Sequence, residues 1–94
     1  MLEKETLSSL ARMLHSRIVE HELPEELIEL SNQLIEKSIE FEGRPEGYNA
    51  FLVVFERFTE SFREFVLNNR FFVSLAQNTV ITILIKMLEK FIKP

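Results

Sequence analysis

The chain has 94 residues, which is enough for one compact domain and too few for two. It is 46% hydrophobic and 28% charged with a net charge of −4, a balance typical of a folded acidic domain rather than a disordered segment. The lack of cysteine excludes disulfides, thiolate metal sites and cysteine nucleophiles. Only eleven Lys and Arg are spread along the chain, which argues against nucleic acid as a partner.

The composition favours helices. All fifteen acidic residues are glutamate, and the chain has only two glycines and three prolines. The first residues are charged and amphipathic rather than signal-like, and the longest uncharged run, 71–85, is shorter than the ~18–20 apolar residues of a spanning helix. We therefore expect a cytoplasmic, all-α protein that forms a single domain over residues 1–94.

The first half of the chain predicts two helices. Helix one is expected over 3–22, from the apolar spacing of Leu7, Leu10, Ala11, Leu14 and Ile18. Pro24, followed by Glu25 and Glu26, predicts the start of helix two, because proline and acidic residues are favoured in a first helical turn. Ser31 and Ser38 lie near the middle of its apolar face, where small side chains allow close approach.

Residues 42–47 hold both glycines and a proline and predict a loop, after which Asn49 is a candidate N-cap.

Helix three has the strongest periodic signal, since five aromatic side chains fall within an arc of about 80°: Phe51, Phe55, Phe58, Phe62 and Phe65. The pair Asn68 and Asn69 is expected to end this helix through a left-handed residue.

Ser74 and Gln77 match a capping box for helix four, which we expect to end near Lys93. Its apolar arc spans about 200°, from Ile83 round to Ile85, more than one neighbouring helix covers. Either this helix is central and contacts all three others, or a strip of it is left for another protein or a second copy. Four amphipathic helices with short links predict an antiparallel four-helix bundle.

The sequence offers no constellation for catalysis. His15 and His21 are six positions apart, about 120° around a helix, so they do not share a ligand. We expect His15 to face solvent and His21 to satisfy carbonyls at the helix end. Glu56, Glu60 and Glu64 form a row flanked by arginines, which is typical of a solvated helix face. We expect no enzyme, no cofactor and no metal.

The segment 62–90 contains a long helix, an Asn-Asn-Arg-Phe-Phe turn and an apolar helix that starts at Ser74. In this order and these lengths, and in the hinge and Pro-containing loop before it, the chain resembles bacteriocin immunity proteins. Those are small cytoplasmic four-helix bundles. The resemblance implies a non-catalytic protein that protects a bacteriocin producer by acting from inside the cell at a membrane receptor complex. Pro94 ends the chain where that family often carries a tail, so no role of such a tail transfers.

The leading hypothesis is therefore a protein that works by binding another protein. Its candidate contact residues are apolar positions of helix four that we expect to be exposed, with two lysines at the rim: Ile81, Ile85, Ile92, Lys86 and Lys90. One alternative is a structural homo-oligomer, such as a homodimer, that pairs the same helix with its own copy. The other is a carrier of a small hydrophobic ligand between the helices.

Overall fold

The computed structural model describes residues 6–69 and 75–92, and for 75–78 it describes the backbone alone. Within these residues the chain forms α1 (Leu7–Glu20), α2 (Glu25–Gly43), α3 (Tyr48–Asn68) and α4 (Leu75–Glu89), with a 3-10 turn at Pro45–Gly47 between α2 and α3. The all-α prediction is confirmed. The predicted capping box of Ser74 and Gln77 falls outside the described side chains, as does Lys93.

Contacts between helix ends show that neighbouring helices run in opposite directions. The Ser8 backbone N–H, at the start of α1, donates to Glu42 Oε2 near the end of α2 at 3.1 Å. The Tyr48 hydroxyl, at the start of α3, donates to the carbonyl of Ile92 just beyond α4 at 3.2 Å. α1 packs against both α2 and α4, and α2 packs against α3. The arrangement is the predicted antiparallel four-helix bundle.

The start of α1 is fixed by a reciprocal cap. Thr6 Oγ1 accepts a hydrogen bond from the Ser9 backbone N–H at 3.1 Å, and Ser9 Oγ accepts one from the Thr6 backbone N–H at 3.0 Å. The two side chains thereby satisfy backbone donors that have no partner within the helix.

The end of α1 is a left-handed turn. Glu22 has φ 54°, and this lets the Leu23 N–H donate to the carbonyl of Ile18 at 3.1 Å. The helix therefore ends at Glu20, two residues before the predicted end. Pro24 then leads into α2, as the sequence predicted.

The phenylalanines of α3 form the aromatic part of the core. Phe51, Phe55, Phe58 and Phe62 are buried, and Phe65 is half-buried at the margin. The rings of Phe58 and Phe62 stack nearly parallel with centroids 6.1 Å apart. They share one core with buried aliphatic side chains of the other helices, including Leu10, Leu14, Ile18, Leu27, Leu34, Ile81 and Leu88. The predicted stripe is confirmed as the centre of the fold.

The two serines on the apolar face of α2 are fully buried. The Ser31 hydroxyl donates to the carbonyl of Ile28 at 2.9 Å, and the Ser38 hydroxyl donates to that of Ile35 at 2.8 Å. In the described part of the chain, every buried side-chain nitrogen or oxygen has a hydrogen-bond partner. The buried serines therefore carry no unsatisfied donor into the core.

The link between α2 and α3 is shorter than the predicted loop, because α2 continues to Gly43. The prediction that Asn49 caps α3 is wrong, since α3 begins at Tyr48 and Asn49 lies in its first turn. Gly47 already has helical dihedrals, φ −76° and ψ −3°. The 3-10 turn thus passes directly into the helix, with no side-chain cap between them.

α3 ends at Asn68, within the predicted pair, but not by the expected geometry. Asn69 has φ −136° and is not left-handed. Its side-chain Nδ2 instead donates to the carbonyl of Phe65 at 3.0 Å. A side-chain hydrogen bond therefore satisfies a backbone carbonyl at the end of α3, where we had expected a residue with left-handed dihedral angles.

The two glycines predict opposite effects of alanine. A Cβ on Gly47 would lie 2.9 Å from the backbone nitrogen of Phe41, whereas one on Gly43 meets nothing within 4 Å. We expect Gly47→Ala to destabilise the fold by about 1–3 kcal/mol and Gly43→Ala to stabilise it by about 0.4–1 kcal/mol. Urea denaturation followed by circular dichroism measures both. Equal effects at the two positions would contradict the close packing of the turn against α2.

Candidate functional site

α4 divides its apolar residues between the core and the surface. Ile81, Leu84 and Leu88 are buried and form the face that enters the core. Ile83 is 51% exposed and Val80 is 38% exposed, and Phe91, in the turn after the helix, is 41% exposed. The sequence left open whether the other helices cover the apolar arc of α4 or leave a strip of it exposed. The structure shows that an apolar strip of α4 remains on the surface of the monomer.

The exposed apolar residues of α4 lie on one side of the helix. At about 100° per residue, Val80, Ile83 and the half-buried Met87 fall within an arc of about 60°, and Phe91 follows in the turn after the helix. We call this set the α4 stripe: Val80, Ile83, Met87 and Phe91. Contiguous exposed apolar surface on a small protein is characteristic of an interaction site, whereas single exposed apolar residues are ordinary.

Charged residues lie on different sides of the stripe. Lys86 and Lys90 are exposed and border it on the side away from the core. Glu89, the carboxylate of α4, lies on the opposite side of the helix and lines a groove toward α3. The border of the stripe contributed by α4 is therefore positive.

α4 packs against α1. His15 of α1 bonds to α2, and Met13 and Arg17 lie on the other side of α1. Met13 is exposed, and Arg17 forms an exposed ion pair with Glu20 at 3.2 Å.

The five residues predicted to form the contact surface have different environments. Ile81 was expected to be exposed, which is wrong, because its side chain is fully buried against the core. Ile85 and Ile92 are half-buried and pack against the core rather than standing free. Lys86 and Lys90 are exposed, as expected of a rim. The exposed apolar positions instead lie at the Ile83 end of the predicted arc.

A groove separates α3 from α4 on the other side of the helix. It has a volume of about 290 Å³ and is lined by Thr59, Phe62, Arg63, Val66, Leu67, Thr82, Ile85 and Glu89. It is open to solvent along its length rather than an enclosed cavity. An open groove buries little of a small apolar molecule, so its shape does not favour the ligand-carrier hypothesis.

The predicted solvated face of α3 is confirmed as exposed. Glu56, Glu60 and Glu64 all lie at the surface, with Arg57 and Arg63 beside them. Glu60 and Glu64 also line a cleft of about 340 Å³ against Glu26 and Glu29 of α2. Among the described residues, no group of three or more His or Glu side chains is arranged to hold a metal ion. The α2 and α3 surface is thus acidic, opposite in sign to the lysine border of the stripe.

The expectation that His15 faces solvent is wrong. His15 is half-buried, and its Nδ1 lies 2.7 Å from Ser31 Oγ on α2. We assign the single hydroxyl proton of Ser31 to the carbonyl of Ile28, 2.9 Å from Oγ, so that the serine oxygen accepts and His15 Nδ1 donates. This hydrogen bond joins α1 to α2 across their contact.

His21 caps α1 with its backbone, because its N–H donates to the carbonyl of Arg17 at 3.1 Å. Any residue at this position makes this backbone hydrogen bond, so the role predicted for the His21 side chain stays a prediction.

Ser31→Ala removes the acceptor of the His15 hydrogen bond. We expect it to lower the free energy of unfolding by about 0.5–1.5 kcal/mol, since the half-buried imidazole then regains only part of its hydrogen bonding from water. In the unchanged protein, nitrogen-15 NMR of the neutral imidazole should show the proton on Nδ1. A proton on Nε2 would contradict the assigned direction of the hydrogen bond.

No helix in the described ranges combines the length and apolar character needed to cross a bilayer. No family model matches the chain, and neither a curated protein nor a solved structure matches it significantly.

Proposed function

We propose that this chain is a non-enzymatic helical bundle that acts by binding another protein through the α4 stripe. The observation that carries the proposal is the run of exposed Val80, Ile83 and Phe91, with the half-buried Met87 between them, along α4 and the turn after it. An interface of this kind has an apolar centre and a polar rim, and Lys86 and Lys90 supply a rim.

The most specific form of this proposal is bacteriocin immunity. It is supported by the resemblance in helix order and lengths and by the observed antiparallel bundle. In this form the chain works in the cytoplasm, and its partner is a membrane receptor complex that it reaches from the inner side. Expression in bacteriocin-sensitive cells is expected to raise survival against at least one member of a bacteriocin panel, and Ile83→Asp is expected to abolish that protection.

Photo-crosslinking in the native cell tests binding directly. A benzophenone amino acid at position 83 should form an adduct of discrete mass with another protein. The matched control is position 53, because Val53 is exposed to a similar degree but lies on α3. An adduct at 83 and none at 53 supports the proposal, whereas no adduct at 83, or equal adducts at both positions, contradicts it.

The homo-oligomer alternative uses the same surface. The stripe of one copy would pair with that of another, and light scattering after size-exclusion chromatography distinguishes the two hypotheses. A monomer at high concentration contradicts the homo-oligomer, and a dimer that Ile83→Asp converts to monomer would replace partner binding as the function of the stripe.

A further inference from the structure

We propose that the segment that docks on the α4 stripe is an acidic amphipathic helix of another protein. This inference rests on the proposed function and adds the chemistry of the partner. It follows from two features of the stripe: its length and spacing, and the sign of the charge along its border.

The stripe has the spacing of a helix-binding surface. Its residues are three, four and four positions apart, and from Val80 to Phe91 they extend over about 16 Å. This length corresponds to about three turns of a docked helix, with apolar anchors at matching intervals. The exposed side chains of the stripe keep part of their surface against the bundle.

The positive charge along the border of the stripe favours acidic residues on the side of the partner helix that faces it. Lys86 and Lys90 lie one helical turn apart, and both are exposed. The carboxylate of Glu89 lies on the far side of α4, in the groove toward α3. A docked helix with glutamate or aspartate one turn apart on the facing flank would form ion pairs with both lysines. Such complementarity favours encounter and fixes the orientation of the partner.

A second copy of this chain is a poorer occupant. In an antiparallel two-fold contact through the stripe, like flanks of the two α4 helices would come together. Lys86 and Lys90 would then face the same two lysines of the other copy, and like charges at this distance repel.

An anionic membrane is also a poorer occupant. Two lysines contribute only about 1 kcal/mol each to binding an anionic surface, and stable membrane anchoring generally requires a second strong signal. The stripe side chains are partly sheltered by the bundle, so their depth of insertion is limited. The exposed glutamates of α2 and α3 add no attraction for anionic lipid.

Synthetic helical peptides test the inference with the intact chain. Two labelled probes of about four helical turns share one apolar pattern at i, i+3, i+7 and i+11, and differ in carrying either glutamate or lysine on the flanks. In fluorescence anisotropy, the acidic probe should bind at least about tenfold more tightly than the basic one, and added salt should weaken that preference.

A charge-reversed variant, Lys86→Glu with Lys90→Glu, should reverse the preference between the probes. The matched control is Arg57→Glu with Arg63→Glu, which changes the net charge equally but on exposed positions of α3. We expect the control to retain the preference for the acidic probe. Circular dichroism of both variants verifies that the bundle is folded.

Each other outcome overturns the inference. Equal binding of both probes, no binding of either, or reversal by the α3 control would exclude an acidic helix selected by these lysines. Vesicles of phosphatidylcholine and phosphatidylglycerol test a membrane surface. If the chain binds them, the Lys86 and Lys90 variant abolishes that binding and the probes show no preference, the stripe is assigned to a membrane surface.

If the position-83 adduct still forms while the probes show no preference, only the partner chemistry is wrong. If the acidic probe binds but no adduct forms in cells, the proposed function fails instead.

Discussion

Phe58→Ala is expected to destabilise the bundle by about 3–5 kcal/mol. The Phe58 side chain is fully buried, and its ring stacks on that of Phe62. Alanine would remove the transfer free energy of the ring and leave a cavity that the surrounding helices close only in part. A domain of this size is stable by only about 5–15 kcal/mol, so the variant should be close to unfolding.

Urea denaturation followed by circular dichroism measures this loss. Val53→Ala is the matched control, because Val53 lies on the same helix with 47% of its surface exposed and should change stability by no more than about 0.5 kcal/mol. Phe58→Leu should fall between them, since leucine fills part of the space. If Phe58→Ala cost no more than Val53→Ala, the aromatic stripe would not be the centre of the core.

The aromatic stripe was predictable because its signal is local. Five phenylalanines at intervals of three and four allow one helix and one buried face, whatever the rest of the chain does. The start of α2 at Pro24 and the buried positions of Ser31 and Ser38 were predictable for the same reason. In each case the residue pattern within one helix determined the answer.

The predictions for His15 and Asn49 were wrong for different reasons. His15 lies at the edge of the apolar face of α1, and only the position of Ser31, sixteen residues away on α2, decides that it is half-buried. Asn49 is a good capping residue, but the preceding 3-10 turn already supplies helical backbone. The His15 contact leaves no signal in the sequence near His15, whereas the turn that replaces the Asn49 cap is local.

The candidate site was missed for a related reason. The sequence defined the 200° apolar arc of α4 but not which part of it enters the core. Ile81, Leu84 and Leu88 enter the shared core, whereas Val80 and Ile83 remain exposed. An arc wider than one neighbour can cover was the available signal, and it indicated a surplus without locating it.

Ile81 and Ile83 are two positions apart on α4 and should respond oppositely to alanine. Ile81 is fully buried, so Ile81→Ala should lower the free energy of unfolding by about 2–5 kcal/mol through the cavity it leaves. Ile83 is 51% exposed, so Ile83→Ala should change it by no more than about 0.5 kcal/mol. The two substitutions remove the same atoms from the same helix, so a difference between them reports on environment alone.

Binding of the partner should be weakened by Ile83→Ala, the variant that changes stability less. With a crosslinker at Val80 in place of position 83, Ile83→Ala should weaken the adduct, because it removes an anchor from the stripe while the fold is retained. The paired measurement is therefore urea denaturation and adduct yield on the same two variants. If Ile83→Ala destabilised the protein as much as Ile81→Ala, Ile83 would belong to the core, and the surface proposed for the partner would lose its central residue.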